Sequence, residues 1–358
     1  MINNPLPLDD GTLLFKNKNK KAIVFGFFVL ALSIFLGIMF LGMGAMDIGL
    51  GKAFRICIGK GLGLDFLLDG IRANEIAVII DIRLPRILAS FFVGAGLGVC
   101  GSIFQAILRN PLADPYTIGI SSGSAFGASL ALLLNIYFDF YLSTYGLSFV
   151  FAFLSLILVV MISKKSGDIS SSSIVIAGII ISAIFSSAIS FIKMLAGESV
   201  GAIVFWLMGS LSAVRMDSTI ILIIAVSIMS AISFIFAKEL SLMSLGDKAA
   251  SSLGVNCKKI RLIFLVIGSI ITAVCVSTSG IIGFLGLVIP HILRAKFTSD
   301  NRYLIPLCFL SSGLCLLVAD NITRILFGGE IPVGVLTTLI GGPFFIYIYL
   351  AKGGKCYE

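Results

Sequence analysis

Three observations predict an all-α polytopic membrane protein of about ten transmembrane helices. Hydrophobic residues make up 58% of the 358 and charged residues only 12%, about half the charged share of a soluble domain. The mean hydropathy of +1.11 exceeds what one soluble core could enclose. The apolar residues also gather into runs near the roughly 20 that a helix needs to cross about 30 Å of hydrocarbon. Irregular backbone facing lipid would leave N–H and C=O groups unsatisfied, so the runs are read as helices. Short connections leave little room for a soluble appendage, and residues 1–358 are read as a single membrane domain.

The first span, Ala22 to Gly44, follows a basic tail at residues 1–21. Its apolar part is longer than the roughly 7–15 residues of a signal-sequence core, which makes it an uncleaved anchor. The glycine-rich connection up to Arg86 is read as short surface helices. Next come Ile87 to Leu108, Thr117 to Ile136 and Leu147 to Ser163. The run DISSSS, residues 168–173, is an N-cap for a fifth span, Ser173 to Leu195. Val200 to Leu211, holding the only tryptophan, Trp206, is too short to cross and reads as an interfacial or re-entrant helix. The remaining spans are Thr219 to Ala237, Ile260 to Ser279, a short Ile281 to Ala295, Tyr303 to Ala319 and Pro332 to Leu350.

An even number of spans puts both termini on one side, and the basic residues choose it. Seventeen of the 26 Lys and Arg residues fall in the N-terminal tail, the connections on its side and the C-terminal tail; nine fall opposite. Both termini are therefore expected in the cytoplasm. The net charge of +8 is then a topology signal, and no nucleic acid is needed to explain it.

Little here suggests catalysis. The sole histidine, His291, lies in IPHILR without a partner at metal-ligand spacing and is read as structural. Seven scattered cysteines without a CxxC are small apolar filler, not a disulfide framework or zinc site. No relay of acids and amines runs through the spans, as an ion-coupled carrier would need. Asp320 and Arg324, four apart, are read as an interfacial pair. No GxxxxGK[ST] loop is present, so any ATP is hydrolysed by a partner. Gly94 with Gly98, Gly123 with Gly127, and Gly280, Gly283 and Gly286 are small-residue patches suited to close helix packing.

The connection at residues 238–259 is unusual: its run LSLMSLGDKAASSLGVNCKK (240–259) is too polar to span and too rich in Ala, Leu and Ser for a flexible linker. Asp247 is expected to cap a short helix, Ala249 to Leu253, that Gly254 stops. Such a helix suits a groove on a soluble partner, or is an ordinary amphipathic surface helix. Ala250→Arg is expected to block docking and leave the membrane fold intact.

Several long motifs, in order, carry a resemblance. RLPR (83–86), QAILRNPLADPYTIGISSGSAFG (105–127), LGDKAASSLGV (245–255), GFLGLVIPHILR (283–294) and EIPVGVLTTLIGGPFFIYIYL (330–350) resemble the FecCD permease family of ABC importers for iron siderophores, haem and cobalamin. The resemblance implies a ten-span, non-enzymatic subunit in the bacterial cytoplasmic membrane. It implies no bound cofactor or metal, and four kinds of partner: a second permease copy or close relative, two cytoplasmic ATPases that use ATP and Mg, an extracytoplasmic substrate-binding protein, and membrane lipid.

By that resemblance Gly246, Asp247, Ala249, Ala250, Leu253, Gly254 and Val255 are the ATPase-coupling segment. Arg83, Arg86 and Arg324 are the positions that receive acidic groups of the binding protein; all three fall on the outer side by charge counting. Interfacial snorkelling around Pro85 is the plainer reading of the first two. Ile174 to Leu195 and Val200 to Leu211 match the translocation path, a weakly polar passage that would not trap a bulky chelate. Iron(III) siderophore or haem is the expected cargo on family breadth, with a corrinoid as the alternative. A secondary carrier and an intramembrane enzyme are the rival classes.

Overall fold

The computed structural model describes residues 9–44, 46–138, 141–165, 170–326 and 331–351. Helix α1 (Asp9–Gly42) begins well before the first apolar run and ends within two residues of it. Outside it lie the amphipathic α2 (Leu50–Leu62), closed by Gly63 in the left-handed region, and a 3₁₀ turn, Asp65–Leu68. Then α3 (Ala73–Ala77), a π-helical turn (Val78–Arg83) and α4 (Leu84–Leu108) run on as one rod of 36 residues. At 1.5 Å per residue the rod is about 54 Å long, so its first turns rise beyond a bilayer core. RLPR therefore lies within the rod, with Pro85 two residues past the π-helical turn, a wider turn that suits a residue without an N–H inside a continuing helix.

Three long helices follow: α5 (Ile120–Phe138), α6 (Thr144–Lys165) and α7 (Ser171–Ala196). Ser170 caps α7 through a reciprocal pair with Ser173, three residues on, while Asp168 lies outside the described residues. Short α8 (Val200–Leu207) precedes α9 (Met216–Ile235), and α10 (Ala237–Met243) and α11 (Asp247–Ser252) form the polar connection. The chain ends in α12 (Cys257–Ser279), α13 (Leu285–Lys296), α14 (Asn301–Leu326) and α15 (Val333–Ala351). No strand occurs among the described residues.

Eight helical stretches are long and apolar enough to cross a bilayer, and α13 and α15 complete the set of ten. At 12 residues α13 is only about 18 Å long and cannot cross alone. The eighth span is thus a half-helix preceded by the non-helical stretch 280–284.

The rod ending in α4 is the centre of the bundle, with 83% of its most apolar window buried. Glycine makes this possible. Added β-carbons on Gly94 and Gly98 would strike Ser312 of α14, and one on Gly101 would overlap the Gly286 carbonyl of α13. Gly123 and Gly127 likewise admit Phe151 and Leu147 of α6 against α5. Small-residue spacing therefore marks two helix crossings. Cys100, Cys275 and Cys308 are buried among these contacts as small fillers.

Candidate functional site

Three regions hold the residues singled out by sequence. At the end where α1 finishes and the rod begins, the π-helical turn directs Arg83 back onto α1. Its Nη1 donates to the Leu41 carbonyl at 2.7 Å and its Nη2 to the Met46 carbonyl. From α14, Arg324 Nη2 donates to the Phe40 carbonyl at 2.6 Å. Two cations thus sit on the C-terminal carbonyls of a helix, where the macrodipole is negative and donors are lacking.

Arg86 makes a two-pronged ion pair with Asp320, Nε and Nη2 each 2.8 Å from a carboxylate oxygen. Asp320 is therefore paired with α4, not with Arg324 as the four-residue spacing suggested; the helices pack face to face, and the bidentate fork fits the cross-helix geometry. Arg83 and Arg86 are both buried. Arg324 keeps Nε and Nη1 without a hydrogen-bond partner. Missing from the sequence reading was Asp320 as the acid that balances Arg86.

At the opposite end, the connection after α9 folds into two short helices at an angle. Asp247 is the first residue of α11, after Gly246 at φ 110°, and does not cap it with its side chain. Its carboxylate instead accepts from Arg261 of α12 at 2.7 Å, with Arg109 at 4.0 Å. Arg109 stands just past α4 with a left-handed backbone, which turns its side chain toward Asp247. Arg261 is 2% exposed. Gly254, at φ 86°, ends the unit, and the Val255 N–H closes it on the Ala250 carbonyl at 3.0 Å.

The result is a small knob clasped by two arginines. Lys248, Ala249, Ser251, Ser252 and Leu253 are exposed on it, and Leu245 and Leu253 are 67% and 60% exposed. Ala250 is fully buried in the chain's own core. Ala250→Arg would therefore break the knob itself, so the expectation that it spares the fold is corrected.

Beside this end, loop 109–119 dips into the bundle. Asp114 accepts from the Tyr116 and Thr117 N–H groups at 3.0 and 2.9 Å, and Tyr116 reaches across to the Ile282 carbonyl at 2.7 Å. Burial pushes the Asp114 carboxyl up to about 6, against the pull of those N–H bonds.

The third region is the matched path. Buried Ile174, Ala177, Ile181, Phe185 and Ile189 seat α7 on the bundle. The opposite ridge, Ile176, Ile180, Ala183, Ser187, Ser190 and Met194, repeats every three or four residues and is exposed throughout. It is apolar and hydroxyl-bearing, without a charge. After Gly197 the chain turns into α8, and beyond its end the buried Gly209 lies where three non-helical stretches meet. Ser210 N–H donates to the Ser279 carbonyl at 2.8 Å, and Gly334 N–H to the Gly209 carbonyl at 3.1 Å. A side chain at Gly209 would overlap the Ile281 carbonyl. Backbone without helical partners at membrane depth is tolerable only when protein satisfies it in this way. His291 faces the Phe345 ring, with centroids 6.3 Å apart.

A ten-helix permease bundle broken at α8, before α13 and before α15, with a cation-rich short-helix knob at one end, defines a class of transport subunit. The FecCD transport family model matches residues 29–351, and the chain belongs to that family, the membrane-spanning permeases of ABC importers. The molybdate import system permease protein MolB of Haemophilus influenzae is 35% identical, over 94% of this chain and 98% of MolB. The hemin transport system permease protein HmuU of Yersinia pestis is 34% identical, over 76% of this chain and 83% of HmuU. A solved inward-facing metal-chelate type ABC transporter superposes with a TM-score of 0.78 at 32% identity, over 91% of this chain and 98% of that one. Other relatives bear names for cobalamin and iron(III) citrate import.

Proposed function

We propose that this chain is the permease of an ATP-driven importer that moves an iron(III) chelate, siderophore-bound or haem, into the cytoplasm. The observation that carries the reading is the α10–α11 knob. A projecting helix with small and apolar exposed side chains, held rigid by Arg261 and Arg109, can transmit a push from a soluble partner where a mobile loop could not. The partner is a pair of cytoplasmic ATPases that use ATP with Mg. A second copy of this chain lies across the α7 ridge, so that two uncharged ridges enclose the passage. The excess of basic residues at the knob end supports placing that end, and both termini, in the cytoplasm.

At the far end, Arg83 and Arg86 are buried on the chain's own acceptors and Arg324 is half-buried, so receiving the carboxylates of an extracytoplasmic binding protein falls to Arg324. Guanidinium suits this because it stays charged and offers a planar fork. Relatives named for hemin and iron(III) citrate support the cargo class, and the cobalamin relative supports a corrinoid as the second reading.

The test is Leu253→Asp in proteoliposomes with the cognate ATPase and binding protein. Substrate-stimulated ATP hydrolysis and uptake should fall together by at least about tenfold while expression stays at the wild-type level. Full stimulated hydrolysis by this variant would remove the knob from the ATPase interface. Orientation is checked by cysteine labelling from outside, which should reach probes near Arg72 and Arg215 but not near Lys164 or Lys248.

A further inference from the structure

The first helix stands at the rim of the bundle, with only 17% of its most apolar window buried. It meets α14 and α13 along Ala22, Phe25 and Gly26, where Phe25 stacks on Phe297 with ring centroids 4.7 Å apart. Beside this line of contact the two helices part. A crevice of about 320 Å³ opens between Ile23, Phe27 and Leu30 of α1 and Tyr303, Pro306 and Leu310 of α14. Its walls are almost wholly apolar, and it opens on the lipid-facing side of the chain.

The mouth at the knob end is different. Lys20 lies three residues before Ile23 and seven before Phe27, so helical spacing stacks it under the wall of the slot. Lys20 and Lys21 also border the adjoining recess formed by Val24, Phe25 and Phe28. Arg302 stands on the α14 side, held by Asp300 with Nη2 to Oδ2 at 2.6 Å, so its charge is already balanced. The lysines supply the net positive charge, and Tyr303 offers an apolar ring with a polar tip at the level expected of a headgroup.

We propose that this α1–α14 crevice is a binding site for an anionic diacyl phospholipid. One acyl chain lies along Ile23, Phe27 and Leu30, and the headgroup phosphate meets Lys20, with Lys21 beside it on the adjoining recess. A zwitterionic lipid would fit the slot without the gain in charge. A second copy of the chain would bring two more lysines against these two. The site rests on the slot and its charged mouth, whichever way the bundle is inserted.

The experiment is native mass spectrometry of the purified full chain with phosphatidylglycerol and phosphatidylcholine of matched acyl chains. Phosphatidylglycerol should be retained over phosphatidylcholine by about fivefold or more, fivefold being about 1 kcal/mol for one basic residue near an anionic surface. The double variant Lys20→Gln, Lys21→Gln should lose that preference. Leu30→Trp, which fills the slot from an exposed position, should lower retention of both lipids. Equal retention of the two lipids by the wild type, or an undiminished preference in the lysine variant, overturns the proposal. A second readout holds should the lysine variant fail to assemble: in Phe27→Trp with Trp206→Phe, acyl-brominated phosphatidylglycerol should quench the indole on the slot wall more than it quenches one placed by Ile34→Trp, beyond the slot. Equal quenching at the two positions means that no lipid occupies the crevice in preference to the open surface, and the site is refuted.

Discussion

Arg86 and Asp320 face each other with side chains 9% and 1% exposed, whereas at the other end Arg261, 2% exposed, reaches an Asp247 that is 38% exposed. Both are arginine–carboxylate pairs at 2.7–2.8 Å. In the first, neither partner can return to water when the other is removed. In the second, the carboxylate keeps water on one side, and the pair positions a projecting helix without sealing a core. The sealed pair joins the two helices at the heart of the packing, α4 and α14. The open pair ties a buried arginine of α12 to a half-exposed carboxylate on the knob, and so holds a projecting element rigidly against the bundle. The same chemistry thus fixes a scaffold at one end and braces a projecting knob at the other.

That contrast is broken most severely by Asp320→Ala. Leaving Arg86 buried without its acid should cost about 3–5 kcal/mol. Thermal unfolding in detergent should show a large loss, while the double Arg86→Met, Asp320→Leu recovers most of it. A wild-type melting temperature for Asp320→Ala alone would show that water satisfies the Arg86 guanidinium in place of the pair.

A smaller effect is expected at Asp114, which is buried at the knob end and bonded to backbone N–H groups. With its carboxyl raised from 3.8 to about 6, the fold favours the protonated form. Its contribution is fully present below the unfolded value near 3.8 and lost as pH rises through about 6. Asp114→Asn retains a carbonyl oxygen for both N–H bonds, so it should match or exceed the wild type at pH 7 and flatten the stability profile between pH 4 and 6. Asp114→Ala, losing both bonds, should cost about 1–3 kcal/mol. A profile unchanged by Asp114→Asn would assign the titration to another group.

Asp247→Ala removes a half-exposed carboxylate but leaves the buried Arg261 without it, so it should lower stability by about 1–3 kcal/mol. It should nonetheless uncouple substrate-stimulated hydrolysis as strongly as Leu253→Asp, because the knob loses its clasp. Loss of stability without uncoupling would make the pair purely structural and would erase the contrast between the two ends.

Much of this architecture was legible in the chain. The Ser170–Ser173 cap, the glycine spacings at 94 and 98 and at 123 and 127, and the short helix stopped by Gly254 are local signals. Each depends on neighbours within a few residues, which the sequence displays directly. The isolated brevity of α8 was legible too, since 12 apolar residues cannot span a bilayer. The eighth span was not: its first residues look as apolar as a helix, but the backbone at 280–284 is held open by Trp206, Ser210 and Tyr116 from distant segments. The partners of the charged groups were hidden for the same reason. Spacing offered Arg324 to Asp320, yet Arg86, more than two hundred residues away, takes it.

By itself, the sequence determined the solvent this chain folds in, the order of its apolar helices, and the positions where helices approach closely. Hydropathy, charge and small side chains act through local length and through the bilayer, a constraint common to every such chain. Only the tertiary structure decided which guanidiniums are turned inward, that Ala250 belongs to the core of the knob, and that a slot remains between α1 and α14. Those outcomes depend on which helix faces come together. A buried charge or an unfilled gap is defined by neighbours that are remote along the chain and adjacent only once the bundle has packed.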